Sequence, residues 1–353
     1  MEKYSLYLFT LLCSMGLFVA CCGGDDDPVE VDDSWKNLSK TYQVDENEIT
    51  LAGALTVTLS GEGRSVTVSA TSAEAAKLTL TNIVPDGAAI SIDGGLTKAN
   101  DLYSITGETT INGCKIAVSG NFDADGKLTL AVTRTMTTPI TGDWKLLITE
   151  EELLPEEAPG VTIPYVPVYW KAVTGDAEID AELKGDGIWL GIMIANSVTA
   201  VDVTFSPEGT FDVTWTKVGE TTPTGMPLHV LGFLGNIFYV VRDGAVFIAL
   251  DGSIVGKALD MVAPILEEAG ISNVDGILHS LMPLTGGYYV LPIAYEQTEG
   301  VTIFKLEKAQ LLTVLEILAP LLAETPEDLA EFEQHFPLLL EARELEFGLP
   351  FVK

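Results

Sequence analysis

Histidine is the first place to look for chemistry, and the chain has only three: His229, His279 and His335. No two of them sit at the i, i+4 spacing of a helical zinc site, and none neighbours a cysteine. Each reads as a surface or internally satisfied residue. The sequence has no Gly-x-Ser-x-Gly elbow, no Rossmann glycine fingerprint and no phosphate loop. It therefore predicts no catalytic residue, no metal ligand and no cofactor, and the chain is read as non-enzymatic.

Carboxylates are abundant instead, with 51 Asp and Glu. A pair of them could hydrolyse a glycosidic bond, one as a raised-pKa acid and the other ionised. At this density such pairs arise everywhere, so a carboxylate-based surface hydrolase stays a remote alternative. Glu327, Glu331 and Glu333 read as a solvated helix face. Asn121-Phe122-Asp123-Ala124-Asp125-Gly126 places Asx residues as the front of a calcium loop does, but the twelfth position is Val132 and lacks the bidentate Glu. A hairpin turn is expected there. The aromatics Tyr165, Tyr169 and Trp170 are the candidate ligand-binding residues, because flat rings on an edge strand can stack on sugars or apolar ligands. Filling a β core is the competing role for them.

Strands must position these rings. From Ile49 to Thr138 apolar residues alternate with Thr and Ser, as in Leu55-Thr56-Val57-Thr58-Leu59, and turns such as Asp123–Gly126 punctuate the run. Cys114 sits in one such strand as a small core residue. Val161–Trp170 carries Pro164 and Pro167 and should be an edge strand or polyproline segment. Val203–Val213 reads as a hairpin turning at Pro207–Gly209, and Phe238–Ile248 as a hairpin with Asp243-Gly244 at its tip. The first of these hairpins, with its Thr-Trp, resembles lipocalin-like repeats. Beyond it come helical stripes. One starts at Ser253 and runs through Ile254, Val255, Leu259 and Leu266. Another spans Leu311 to Leu322, and Thr325-Pro326-Glu327-Asp328 starts a third. From Thr221 to Val241 no residue is charged, but Pro223, Gly225, Pro227 and Gly232 favour a linker into a buried strand over a spanning helix.

The expected class is α+β, mainly antiparallel β, with β-sandwich or lipocalin-like barrel modules followed by a mixed C-terminal region of three or four helices. The expected organisation is a signal peptide at 1–20, an acidic tether at 21–40, a β domain at 41–139, a second β unit at 140–220 and the mixed region at 221–353.

The amino terminus suggests an address. Lys3 precedes an apolar run, Tyr4 to Ala20, shorter than the roughly 20 residues of a spanning helix. Phe18-Val19-Ala20-Cys21 resembles the lipobox of bacterial lipoproteins. That resemblance implies cleavage before Cys21 and acylation of its thiol and its new amino group. Cys22-Gly23-Gly24-Asp25-Asp26-Asp27 is similar to the export tract of surface-exposed lipoproteins in Bacteroidetes. It implies anchoring at the outer membrane, facing the cell exterior, and a binding role of the kind such proteins have in glycan or nutrient capture.

A formal net charge of −32, from 19 basic against 51 acidic residues, excludes electrostatic capture of nucleic acid. The remaining partners are the membrane, through the lipid anchor on Cys21, and a glycan or apolar ligand. A protein partner bound by the Leu311–Leu322 stripe would instead make the chain a structural subunit of a surface complex.

Overall fold

Alternation does most of the building between residues 40 and 136. In the strand Leu128–Met136, Leu128, Leu130, Val132, Arg134 and Met136 are buried while the residues between them face solvent. That is the period-2 pattern of a sheet with one covered face. The computed structural model describes residues 32–53, 55–85, 89–152, 160–223, 237–253, 255, 284–313 and 336–353. Residues 1–31 with Cys21, the three histidines, Glu327, Glu331, Glu333 and most of the expected C-terminal helical stripes lie outside them.

The first sheet has nine strands. They are β1 (Lys40–Gln43), β2 (Glu48–Ala52), β3 (Thr56–Thr58), β4 (Ser65–Ala70) and β5 (Ala75–Thr81). β6 (Ile90–Ala99), β7 (Leu102–Ile111), β8 (Cys114–Phe122) and β9 (Leu128–Met136) continue it. Spatial order is β1-β4-β5-β6-β7-β8-β9-β2-β3, antiparallel except that β2 runs parallel to β9. Asn121–Gly126 is the β8–β9 turn, where the Asp123 Oδ1 accepts the amides of Asp125 and Lys127 at 3.0 and 2.8 Å. Cys114 is buried on the inner face.

The chain then passes through β10 (Gly142–Leu146), the two-stranded ribbon β11 (Thr149–Glu151) and β12 (Ile163–Tyr165), and β13 (Tyr169–Val173). Helix α1 (Ala177–Ser197) follows, inside a stretch expected to be all β. Its start is conventional: the Asp176 carboxylate accepts the amides of Glu178 and Ile179, and acids occupy the first turn. Next come β14 (Val198–Phe205), β15 (Phe211–Lys217), β16 (Ile237–Arg242) and β17 (Ala245–Asp251). β18 (Leu284–Thr285), β19 (Tyr288–Thr298), β20 (Val301–Glu307) and β21 (Glu344–Val352) complete the second sheet. Its order is β15-β14-β10-β21-β20-β19-β17-β16, with β13 on β21 and β18 on β19. Strands from 140–220 and from 221–353 share this sheet, since β10 lies between β14 and β21.

Architecture is thus mainly antiparallel β, with curled sheets forming a half-barrel. Between residues 221 and 353, helix is described at 252–253, 255, 308–313 and 336–341. Both expected hairpins are present. β16 and β17 turn through Asp243 and Gly244, both at positive φ, as a two-residue hairpin requires. One apolar cluster runs through both sheets. Among the described residues no helix is long and apolar enough to cross a membrane.

Candidate ligand-binding site

Cross-strand register shows which side chains line the inside of the second sheet. Trp144 faces Val203, Val203 faces Val213, and Val201 faces Trp215. Leu349 faces Phe304, which faces Tyr295, and Ile293 continues across Val246 to Val241. Every one of these is apolar or aromatic. The sheet curls until its two edge strands meet at a single bridge, Thr210 to Phe238. Next to it the Tyr239 amide donates to the Gly209 carbonyl at 2.9 Å.

The closed end is packed. Phe205 stands 5.1 Å from Tyr239 and 5.4 Å from Phe304, centroid to centroid, and Phe304 also meets Trp144 at 6.2 Å and Phe351 at 5.7 Å. Such tilted and edge-on pairs add to the area they bury. Burial raises the Tyr239 hydroxyl pKa above the usual tyrosine value, and its hydrogen bond with Thr141 and the nearby Arg134 charge only partly oppose this. Tyr295 and Leu349 are half-buried beside Phe304, and Ile293 beside Val246; farther along β14 and β15, Val201 and Val213 are half-buried and Trp215 is 36% exposed. Helix α1 reaches this region: the Val218 amide donates to the Ser197 carbonyl at 3.2 Å, and Ile194 and Val198 join the core beside Val201. The curled sheet thus has an aromatic-lined concave face, buried around Phe205 and Tyr239 and more exposed at Trp215.

The three aromatics singled out in the sequence do not form one platform. Trp170 lies on the inner face of β13, 6.4 Å from Phe347, and its indole nitrogen donates to the Leu183 carbonyl of α1 at 2.6 Å. Tyr169, one residue earlier, points to the opposite face, where the Lys305 ammonium sits 3.9 Å from its ring centroid. Alternation along a strand dictates that split. Tyr165 is in the separate ribbon and packs on Gly191 of α1. Burial, with the Glu151 charge, raises its hydroxyl pKa. Around Tyr169 the outer face is ionic: Lys171 pairs with Glu344 and lies 3.6 Å from Glu346, and Lys305 pairs with Glu296 at 2.6 Å. The Glu344 hydrogen bond raises the Lys171 pKa.

Trp215 carried no local signal beyond the Thr-Trp of its hairpin. Only register could place it on the same face as Val201, Val213 and Phe304. A second buried constellation joins Arg64, Asp251 and Tyr288 between the sheets. Its groups are mutually satisfied, so it has nothing to offer a ligand. No group of three or more His, Cys, Asp and Glu suited to a metal occurs among the described residues. No protein-family model, curated protein or solved structure matches the chain.

Proposed function

We propose that the protein is a non-enzymatic binding lipoprotein of the bacterial outer membrane, held by acyl chains on Cys21, facing the cell exterior and taking an apolar ligand. In this reading the second sheet is a lipocalin-like module and its concavity, near Trp215, is the binding site. The observation that carries it is the inner face itself. Eight strands curl until their edges meet at one bridge, and a barrel of eight strands has an interior that holds one small ligand or is filled by side chains. Here aromatics fill the region around Phe205 and Phe304, while Val201 and Val213 stay half-buried and Trp215 is exposed. An apolar ligand would complete the burial of those side chains, at about 25 cal/mol per Å² removed from water.

The splitting of Tyr165, Tyr169 and Trp170 over separate surfaces favours the apolar ligand over a glycan. The test is titration of the full-length acylated protein with the neutral probe N-phenyl-1-naphthylamine. Saturable uptake, weakened about five- to tenfold by Trp215→Ala, is expected from the loss of one buried ring. No uptake, together with a hit on a glycan array, overturns the ligand class. Mass spectrometry of the native protein is expected to find Cys21 at the amino terminus carrying acyl chains; an intact 1–20 segment overturns the anchor.

Helix α1 supports a second reading, in which the chain is a partner-binding subunit of a surface complex. Ile188 is 44% exposed and Trp189 58% exposed, on a stretch without charge from Gly187 to Val201. Absence of probe uptake with a protein cross-linked in cells through position 189 would establish it.

A further inference from the structure

A closed seam made of one bridge is weak by itself. β15 and β16 pair only at Thr210 and Phe238, whereas their other neighbours in the sheet are held by full ladders. The first sheet supplies what the seam lacks. The Met136 amide of β9 donates to the Pro207 carbonyl at 2.6 Å, at the tip of the β14–β15 hairpin. Arg134, 4% exposed and two residues earlier on the same face of β9, donates from Nη2 to the Gly209 carbonyl. That carbonyl is also the acceptor for the Tyr239 amide across the seam. The Arg134 guanidinium lies 4.8 Å from the ring centroid of Phe238, on β16. One side chain from the first sheet therefore touches both lips of the seam in the second.

Local geometry is adapted to this contact. Gly209 has φ +77°, and a Cβ there would run into the Arg134 guanidinium, so glycine is required both by the backbone and by the arginine. Ser206 Oγ and Thr210 Oγ1 are 2.7 Å apart and the Thr210 amide donates to Ser206 Oγ, which stiffens the hairpin tip that is gripped. The Tyr239 hydroxyl donates to the Ser206 carbonyl at 2.9 Å and lies 3.0 Å from Thr141 Oγ1.

We infer that Arg134 is a latch: the N-terminal sheet holds the seam of the curled C-terminal sheet shut, and release of this arginine opens the aromatic interior between β15 and β16. The latch is a property of the folded chain alone. Its role in ligand entry rests on the apolar-ligand reading above, and separate measurements address the two.

Native-state hydrogen exchange on the full chain tests the latch. In the unmodified protein the Tyr239 amide is expected to exchange by local opening, ahead of the amides of Val246 to Leu250 on the neighbouring strand. Arg134→Met keeps an apolar contact with Phe238 but removes the hydrogen bond to Gly209. It is expected to speed Tyr239 exchange about tenfold, the scale of one buried charged hydrogen bond, while amides of β5 and β7 hold their rates. Gly209→Ala, which displaces the guanidinium from the hairpin side, is expected to produce the same local pattern. Unchanged Tyr239 exchange in both variants overturns the latch, and so does a uniform rise over both sheets, which would mean plain destabilisation. If Arg134→Met does not fold, the unmodified protein decides: Tyr239 exchange only through global unfolding overturns it. Probe association faster in Gly209→Ala than in the unmodified protein is expected if the seam is the entrance. Equal rates overturn the entry role alone, and no uptake by either protein overturns the ligand reading and leaves the exchange result standing.

Discussion

Arg64 and Asp251 are 187 positions apart and meet at 2.7 Å, with side chains 2% and 4% exposed. The guanidinium also donates to the Ser60 carbonyl at 3.0 Å and the Gly287 carbonyl at 2.8 Å, and stacks 4.5 Å from the Tyr288 ring centroid. Asp251 accepts the amide and hydroxyl of Ser253 through its other oxygen, at 2.9 and 2.6 Å. Desolvating two charges is costly, and this geometry offsets it by satisfying nearly every lone pair and proton. Removing one partner leaves the other buried and uncompensated. Asp251→Ala is therefore expected to lower unfolding free energy by about 3–5 kcal/mol in urea titration, and Arg64→Met/Asp251→Leu to lower it by much less. A double variant no better than the single would sink this account. Neither residue attracts notice in the sequence, because each has only short local motifs around it and a partner from the opposite half of the chain.

At the scale of elements, α1 is the clearest departure from what the sequence suggests. Gly185, Gly187 and Gly191 lower helix propensity, and the apolar Ile188–Ala195 run has neither strand nor helix periodicity, so the stretch merges with the β segments around it. The glycines are there for approach. A Cβ on Gly187 would come within 2.7 Å of Trp170, and one on Gly191 would overlap the Tyr165 ring and the Val166 carbonyl. Gly185 faces open space. Gly185→Ala is expected to stabilise the protein by up to about 1 kcal/mol through propensity alone. Gly191→Ala is expected to destabilise it by roughly 1–3 kcal/mol through overpacking. Thermal or denaturant unfolding of the pair checks both signs, and equal effects would refute the packing role. The signals that could have revealed α1 are at its start: Asp176 as cap, with Glu178 and Asp180 in the first turn. Asp180 anchors that start too, accepting the amide and hydroxyl of Thr174 at 2.6 and 2.7 Å, which holds its pKa below the usual carboxylate range. Hairpins were far easier to read, because Asp243-Gly244 and Pro207–Gly209 each specify a turn by backbone chemistry within four residues.

For the whole molecule, two sheets share one core, and polar tyrosines sit inside it. Burial pushes the Tyr42 hydroxyl up to about 12. Burial also raises Tyr288 and Tyr239, Tyr288 despite the Arg64 charge and Tyr239 despite its hydrogen bond with Thr141. Each is neutral in the fold and acidic at about 10 when unfolded. A raised folded pKa means stability that is fully present below about pH 10 and is lost as pH climbs toward the folded values. Spectrophotometric titration is expected to show Tyr42, Tyr239 and Tyr288 ionising late, together with unfolding, after the exposed tyrosines. Three buried phenols ionising near pH 10 with the fold intact would contradict the packing described. The Tyr288 hydroxyl donates to the Ile83 carbonyl at 2.8 Å, so its ionisation also breaks a contact between the sheets.

Sequence alone determined the local grammar: alternation in β4 to β9, the Asp-Gly and Pro-Glu-Gly turns, the buried Cys114, and a net charge of −32. These follow from period, turn chemistry and charge, which act over a few residues or over the sum of the chain. Tertiary structure alone decided that β10 inserts between β14 and β21, that Tyr169 and Trp170 part to opposite faces, and that Arg134 touches Gly209 and Phe238 on the two lips of the Thr210–Phe238 seam. Those depend on strand register and sheet curvature, set by the packing of distant side chains, and no short window of sequence contains both partners.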